Sequence, residues 1–148
     1  MALWQYTFYL LPEESTDIFL RNQSNSNEEL FDDEKYWHFK KTNRNCFKKI
    51  DYILPLSQSW SEDIDLYGKE EANCFEVIFN NNNDVESVSF RIDFRSEYEF
   101  ILQYIIDFCK ENNFIIIDEN LNIMLLNLDK MKNIIEKSSQ VTKYKMFR

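Results

Sequence analysis

Residues 87–95, "SVSFRIDFR", constrain the fold of this chain more than any other stretch. Val88, Phe90, Ile92 and Phe94 alternate strictly with Ser89, Arg91, Asp93 and Arg95. A period of two places the apolar side chains on one face of an extended strand and the polar ones on the other. The preceding "CFEVIFN" is also strand-like, and Asn80–Asp84 lies between the two runs. Asn and Asp tolerate left-handed backbone angles, so the spacing predicts a hairpin here. Part of the fold is therefore an antiparallel sheet with a dry side and a wet side. The Arg91–Asp93–Arg95 row reads first as the solvated side, where such charge ladders contribute little. Contact with a partner is the alternative reading.

Other segments are legible to different degrees. "LWQYTFYLL" alternates Trp4, Tyr6, Phe8 and Leu10 and predicts a first strand ended by Pro12; "EESTDIFLRN" predicts a short helix and "NQSNSNEE" a loop. "FDDEKYWHF" and "CFKKIDYILP" read as possible strands, although Phe47, Ile50, Tyr52 and Leu54 fit a period of two only in part. "SQSWSEDIDLYGKEEA" holds the single glycine, Gly68, and reads as a long exposed connection. Ser96 and Glu99 form an S-x-x-E capping box that predicts the start of a helix, with Asn112-Asn113 at its end. "FIIID" then predicts a central strand, "IMLLN" its returning partner, and Asn127 the cap of a last helix with Leu128, Met131, Ile134 and Ile135 inward. The order predicts one α+β domain over residues 1–148, with a mostly antiparallel sheet and helices packed on one face.

Composition sets the partner class. Thirteen Phe, eight Tyr and three Trp in 148 residues provide ample material for a core. The apolar runs fall far short of the roughly 20 residues of a membrane span. The N-terminus has no basic region followed by a small-residue cleavage site, so it reads as mature structure, and a cytoplasmic location is expected. The net charge is −9, which disfavours nucleic acid and anionic membrane as partners and favours a cationic protein. Residues 13–34 carry eight acids against Arg21, and residues 51–76 seven against Lys69. Between them, residues 35–49 carry six bases and no acid.

The residues supply no motif for catalysis. His38 is the only histidine, no nucleophile motif accompanies it, and "KYWHFK" predicts aromatic packing around it. One glycine cannot furnish a phosphate cradle. Cys46, Cys74 and Cys109 are odd in number and widely spaced, which predicts reduced, structural thiols and no metal site. The adjacent acids (Asp32-Asp33-Glu34, Glu62-Asp63, Glu70-Glu71, Asp118-Glu119) leave a small carboxylate-dependent hydrolase open as an alternative. No catalytic residue and no cofactor is expected. What remains is residues 54–76, where aromatic side chains stand in an acidic field as at protein interfaces. The candidate partner-binding residues are Trp60, Glu62, Asp63, Asp65, Tyr67, Glu70 and Glu71. An acidic surface loop pinned by Trp60 and Tyr67 in the core is the competing reading.

Three stretches, "LWQYTFYLLPEE", "LPLSQSWSEDIDLYG" and "SFRIDFRSEYEFILQYIIDFCKENNFIIIDENLNIMLLN", give the chain a resemblance to bacterial immunity proteins of polymorphic or contact-dependent growth inhibition toxin systems. The resemblance lies in hydrophobic layout and transfers no site residues. It implies a non-enzymatic, cytoplasmic, single-domain protein that caps one cognate toxin C-terminal domain, with a nuclease toxin expected. A monomer or weak homodimer is expected, and a generic protein-interaction adaptor is the further alternative.

Overall fold

The computed structural model describes residues 2–24 and 31–147. Six strands form one sheet: β1 Gln5–Pro12, β2 Leu56–Ser57, β3 Ile64–Gly68, β4 Cys74–Phe79, β5 Val85–Asp93 and β6 Phe114–Ile117. Their spatial order is β2-β3-β4-β5-β1-β6, and every pairing is antiparallel. The helices are α1 Thr16–Ser24, α2 Glu34–Trp37, α3 Glu99–Asn112, α4 Leu128–Glu136 and α5 Ser139–Phe147, and a 3-10 helix runs over Arg44–Tyr52. A single α+β domain with an antiparallel sheet is thus what the chain forms.

The predicted hairpin is β4–β5. Val77 faces Val88 and Phe75 faces Phe90, and Asn83 takes a φ of 61° in the turn. Phe8 of β1 stacks on Phe90 at 5.1 Å, Phe90 on Phe75 at 6.2 Å, and Phe108 of α3 meets Phe75 edge-on. Burying each such ring stabilises the fold by about 1.5–3 kcal/mol. The main helix, α3, keeps to this face. It ends at Asn113, whose left-handed φ of 57° closes the helix as expected. Asn127 caps α4 by accepting from the Lys130 amide at 3.0 Å. On the opposite face Tyr9 meets Phe31, which joins Phe19 of α1 and Tyr36 of α2 in one aromatic group at the rim of the sheet.

Four expectations are corrected. The two strand candidates in residues 30–54 are helical: α2 and the 3-10 helix occupy them. In the 3-10 helix the buried side chains Phe47 and Ile50 stand three apart, where a three-residue turn superposes them. Ser96 does not cap α3. Its hydroxyl donates to the Asp93 carbonyl at 2.8 Å, and the helix begins after Tyr98. "IMLLN" is not a full strand; a single bridge joins Ile117 to Ile123, with the Met124 amide bonded to the Ile116 carbonyl. The stretch "SQSWSEDIDLYGKEEA" is not one long connection, because β3 lies inside it. The expected loop at 22–29 begins as the end of α1, and its remainder lies outside the described residues.

Candidate protein interface

Residues 58–63 join β2 to β3 at the open edge of the sheet, and local chemistry fixes their shape. The Ser59 hydroxyl donates to the carbonyls of Ser61 and Ile64. The Asp63 amide donates to the Ser61 hydroxyl at 3.2 Å, and the Asp63 carbonyl accepts from the Phe79 amide at 2.7 Å. A serine-rich hexapeptide offers these hydroxyls to its own backbone, so it sets as a turn and not as a strand. Trp60 is thereby held outward with 82% of its surface exposed.

Arg44 locks the loop from below. Its Nε donates to Asp65 Oδ2 at 2.9 Å and its Nη2 to Asp65 Oδ1 at 2.6 Å. Nη2 also reaches the Glu62 carbonyl at 3.1 Å, and the guanidinium lies 4.4 Å over the Phe79 ring. Two parallel bonds to one carboxylate fix both groups in plane. The basic segment at 35–49 is therefore partly used inside the molecule: Arg44 is paired with Asp65, and the Lys40 ammonium donates to the Asn112 carbonyl at 3.1 Å.

The seven candidate residues separate into three groups. Trp60, Glu62 and Asp65 line one shallow groove of about 430 Å³ with Leu56 and Arg44, and Asp63 is exposed beside it. Tyr67 is buried to 2% exposure in the core and cannot meet a partner. Burial, then the nearby Asp65 and Asp51, push its phenol up to about 12. Glu70 and Glu71 sit beyond the far end of β3, about 17 Å along a five-residue strand. Their carbonyls accept from Gln5 Nε2 and Trp4 Nε1 and so tie the turn to β1. The structure thus brings Trp60, Glu62, Asp63 and Asp65 together and leaves Tyr67, Glu70 and Glu71 apart from them.

Tertiary structure adds acids that no local pattern points to. Burial raises the Glu86 carboxyl above its ordinary value, and the charges of Glu34 and Asp63 raise it further. Glu34 of α2, Glu86 of β5 and Asp63 of the loop thus share one field, although 52 positions separate the outer two. The only sequence sign was the acid excess on both sides of the basic run.

The remaining sequence candidates have structural partners. Asp93 is 5% exposed, its carboxylate takes two bonds from Arg95, and Arg95 lies 4.0 Å over the Trp4 ring. Arg91 donates to the Glu70 carbonyl. The charged row of β5 is mostly an end clamp for the strand. Asp118 accepts from the amides of Asn120 and Asn122, which explains it as a turn residue. Glu119 accepts from the Thr7 amide at 2.9 Å, where β6 has ended and no longer supplies a carbonyl. His38 is exposed and not packed among aromatics as expected, since it ends α2 while Trp37 turns inward. All three cysteines are free, and burial pushes Cys74 up to about 11. Among the described residues no His, Cys, Asp and Glu side chains gather into a group able to hold a metal ion, and no helix is long and apolar enough to cross a membrane.

Comparison with family models, curated proteins and solved structures finds no match. The site must be read from its own geometry.

Proposed function

We propose that the protein is an immunity protein that binds a cognate toxin domain stoichiometrically and neutralises it without catalysis. One observation carries this reading: a tryptophan held in solvent by a hydrogen-bonded loop, with Glu62 and Asp63 exposed beside it. A large aromatic side chain on a rigid support loses little entropy on docking and supplies most of the affinity of a typical interface. The acids, together with the net charge of −9, draw a basic surface toward it and raise the association rate. A nuclease toxin fits this chemistry, because a protein that grips phosphate presents a positive cleft. The proposal includes a cytoplasmic location, where such a toxin would act.

The test is co-expression with the toxic C-terminal domain encoded by the adjacent gene. Growth should be restored and a one-to-one complex should be recovered. Absence of both rescue and complex overturns the reading.

A second reading, a carboxylate-dependent hydrolase, draws on the open face of the sheet, where Glu76 and Glu119 line one concavity with Arg91. Burial raises Glu119 above its ordinary value. Its bonds to Thr7 and Gln140 already account for both carboxylate oxygens, which favours a structural role. Hydrolysis that is lost in Glu76→Gln with the fold intact would restore this reading.

A further inference from the structure

Trp60 does not stand alone. Tyr52 is 87% exposed and Phe100 79%, and Leu56 is also mostly in solvent. These side chains are scattered in sequence, but the fold sets them in a row. Leu56 lines the groove with Trp60. Its amide donates to Asp51 Oδ1 at 2.6 Å, which holds β2 against the end of the 3-10 helix, beside Tyr52. The Tyr104 hydroxyl donates to the Lys49 carbonyl at 2.6 Å and so seats α3 on the same 3-10 helix. Burial, then the nearby Tyr52, raises the Tyr104 phenol above its ordinary value. Phe100 lies one helical turn before Tyr104, on the same outer face of α3. The inner face of α3 buries Leu102, Ile105, Ile106, Phe108 and Cys109, so Phe100 is left outside the core.

Area and charge together specify what covers this row. A large aromatic side chain has roughly 150–250 Å² to bury. Tyr52, Trp60 and Phe100, each about four-fifths exposed, therefore present roughly 500 Å². A contiguous patch of this extent is at the upper end for a monomeric protein and marks a contact surface. A stable interface takes about 800 Å² from each partner, of which Trp60 alone would supply about a fifth. Acids outnumber bases along the row: Asp51, Glu62, Asp63, Asp107 and Glu111 are exposed, against Lys48 and Lys49. Arg44 and Asp65 cancel each other. A second copy would bring the same acid excess, and the net charge of −9 on each chain opposes that pairing. A basic protein surface meets both conditions. Arginine suits it best, because its guanidinium stacks on an aromatic face while it meets a carboxylate.

We propose that Tyr52, Leu56, Tyr104 and Phe100 extend the Trp60 anchor into one continuous contact strip, and that this strip receives an arginine-bearing basic surface of the protein partner. The inference rests on the immunity reading and brings α3 into its contact surface.

The test is calorimetric titration of the full chain with the toxic domain encoded by the adjacent gene. The Tyr52→Ala, Phe100→Ala double variant should weaken the complex by about tenfold or more. Its unfolding midpoint should not change, because both side chains are exposed in the free protein. Leu20→Ala removes an exposed apolar side chain from α1, away from the strip, and should leave the affinity as it was. A complex that Trp60→Ala weakens but the double variant leaves at full affinity overturns the strip and leaves the immunity reading standing. An equal loss in Leu20→Ala also overturns it. So does a wild-type dimer, detected by sedimentation, that the double variant dissociates, since a second copy is then the occupant. If the toxic domain does not bind at all, the immunity reading falls, and the strip is judged with an amphipathic arginine–leucine peptide and its glutamate–leucine counterpart. Binding of the basic peptide alone, weakened in the double variant, supports the strip. No binding, or binding that the double variant leaves unchanged, overturns it.

Discussion

Residues 58–63 and residues 64–68 are neighbours of similar composition with opposite fates. The first segment shows Trp60 to solvent; the second buries Tyr67 under Phe75 at 6.2 Å, edge to face. Each carries one large aromatic side chain and at least one acid. What separates them is where the backbone amides go. In β3 the backbone pairs with β4 from Ile64↔Ile78 to Gly68↔Cys74, and alternation then fixes Tyr67 on the core face. In the loop, serine hydroxyls take up the Ser61 carbonyl and the Asp63 amide, no ladder register is imposed on Trp60, and its side chain points outward. The comparison shows that here the aromatic side chain turns outward where its backbone is satisfied locally and inward where it joins the sheet.

Substitutions can break this contrast or sharpen it. The largest effect is expected at Tyr67→Ala, which should cost about 3–5 kcal/mol in denaturant unfolding, as for other buried aromatics. A loss below about 1 kcal/mol would mean that the β3 register is wrong. Trp60→Ala should leave stability within about 0.5 kcal/mol while weakening the proposed toxin complex by about 2 kcal/mol, roughly thirtyfold, in calorimetric titration. A destabilised Trp60 variant would place this side chain with Tyr67 and remove the anchor.

Asp65→Asn comes next. It leaves Arg44 without its bidentate carboxylate and should cost about 1 kcal/mol, moderated because both groups are partly exposed. It should also accelerate proteolysis within residues 58–63, which limited digestion would detect; unchanged digestion would show that the serine bonds hold the loop alone. The smallest effect is electrostatic. Glu86 is raised first by burial and then by Glu34 and Asp63, so Glu34→Gln should lower its carboxyl pKa and Asp63→Asn should lower it less, in a carbon-detected NMR titration. An unmoved Glu86 in both variants would show that the three acids do not share one field.

Linkage gives a related expectation for stability. Asp33 is held above its ordinary value mainly by burial, which exceeds the help from its bond with Ser87. With the folded value above the unfolded one, the native carboxyl takes up its proton first as pH falls. This group therefore costs stability at neutral pH, and the cost is relieved as pH drops through the folded value toward the ordinary carboxylate range. Asp33→Asn should flatten that part of the stability profile.

The legible parts of the chain were those where one local force dominates. Val88 to Ile92 alternate because one face is dry, so the β4–β5 hairpin was readable from its residues. Asn113 and Asn127 announce helix ends because their side chains suit those backbone angles and caps. Phe47 and Ile50 misled because a spacing of three fits both an irregular strand and a 3-10 turn, and only packing against Phe114 and Trp37 selects the turn. Ser96 misled in the same way: the capping pattern is intact, yet the Asp93 carbonyl is a nearer partner for its hydroxyl.

Composition and periodicity by themselves determined that this is an acidic α+β protein with an antiparallel hairpin at its centre, because burial of alternating apolar residues depends on nothing distant. They also pointed to residues 54–76 as the place where aromatic and acidic side chains mix. Tertiary structure alone decided that Tyr67 is core and Trp60 is surface, that Glu70 and Glu71 stand at the far end of the strand, and that Glu34 and Glu86 join Asp63 in one field. Those outcomes turn on which backbone groups meet across the sheet and which charges are brought close through space, and neither quantity is written in any local run of residues.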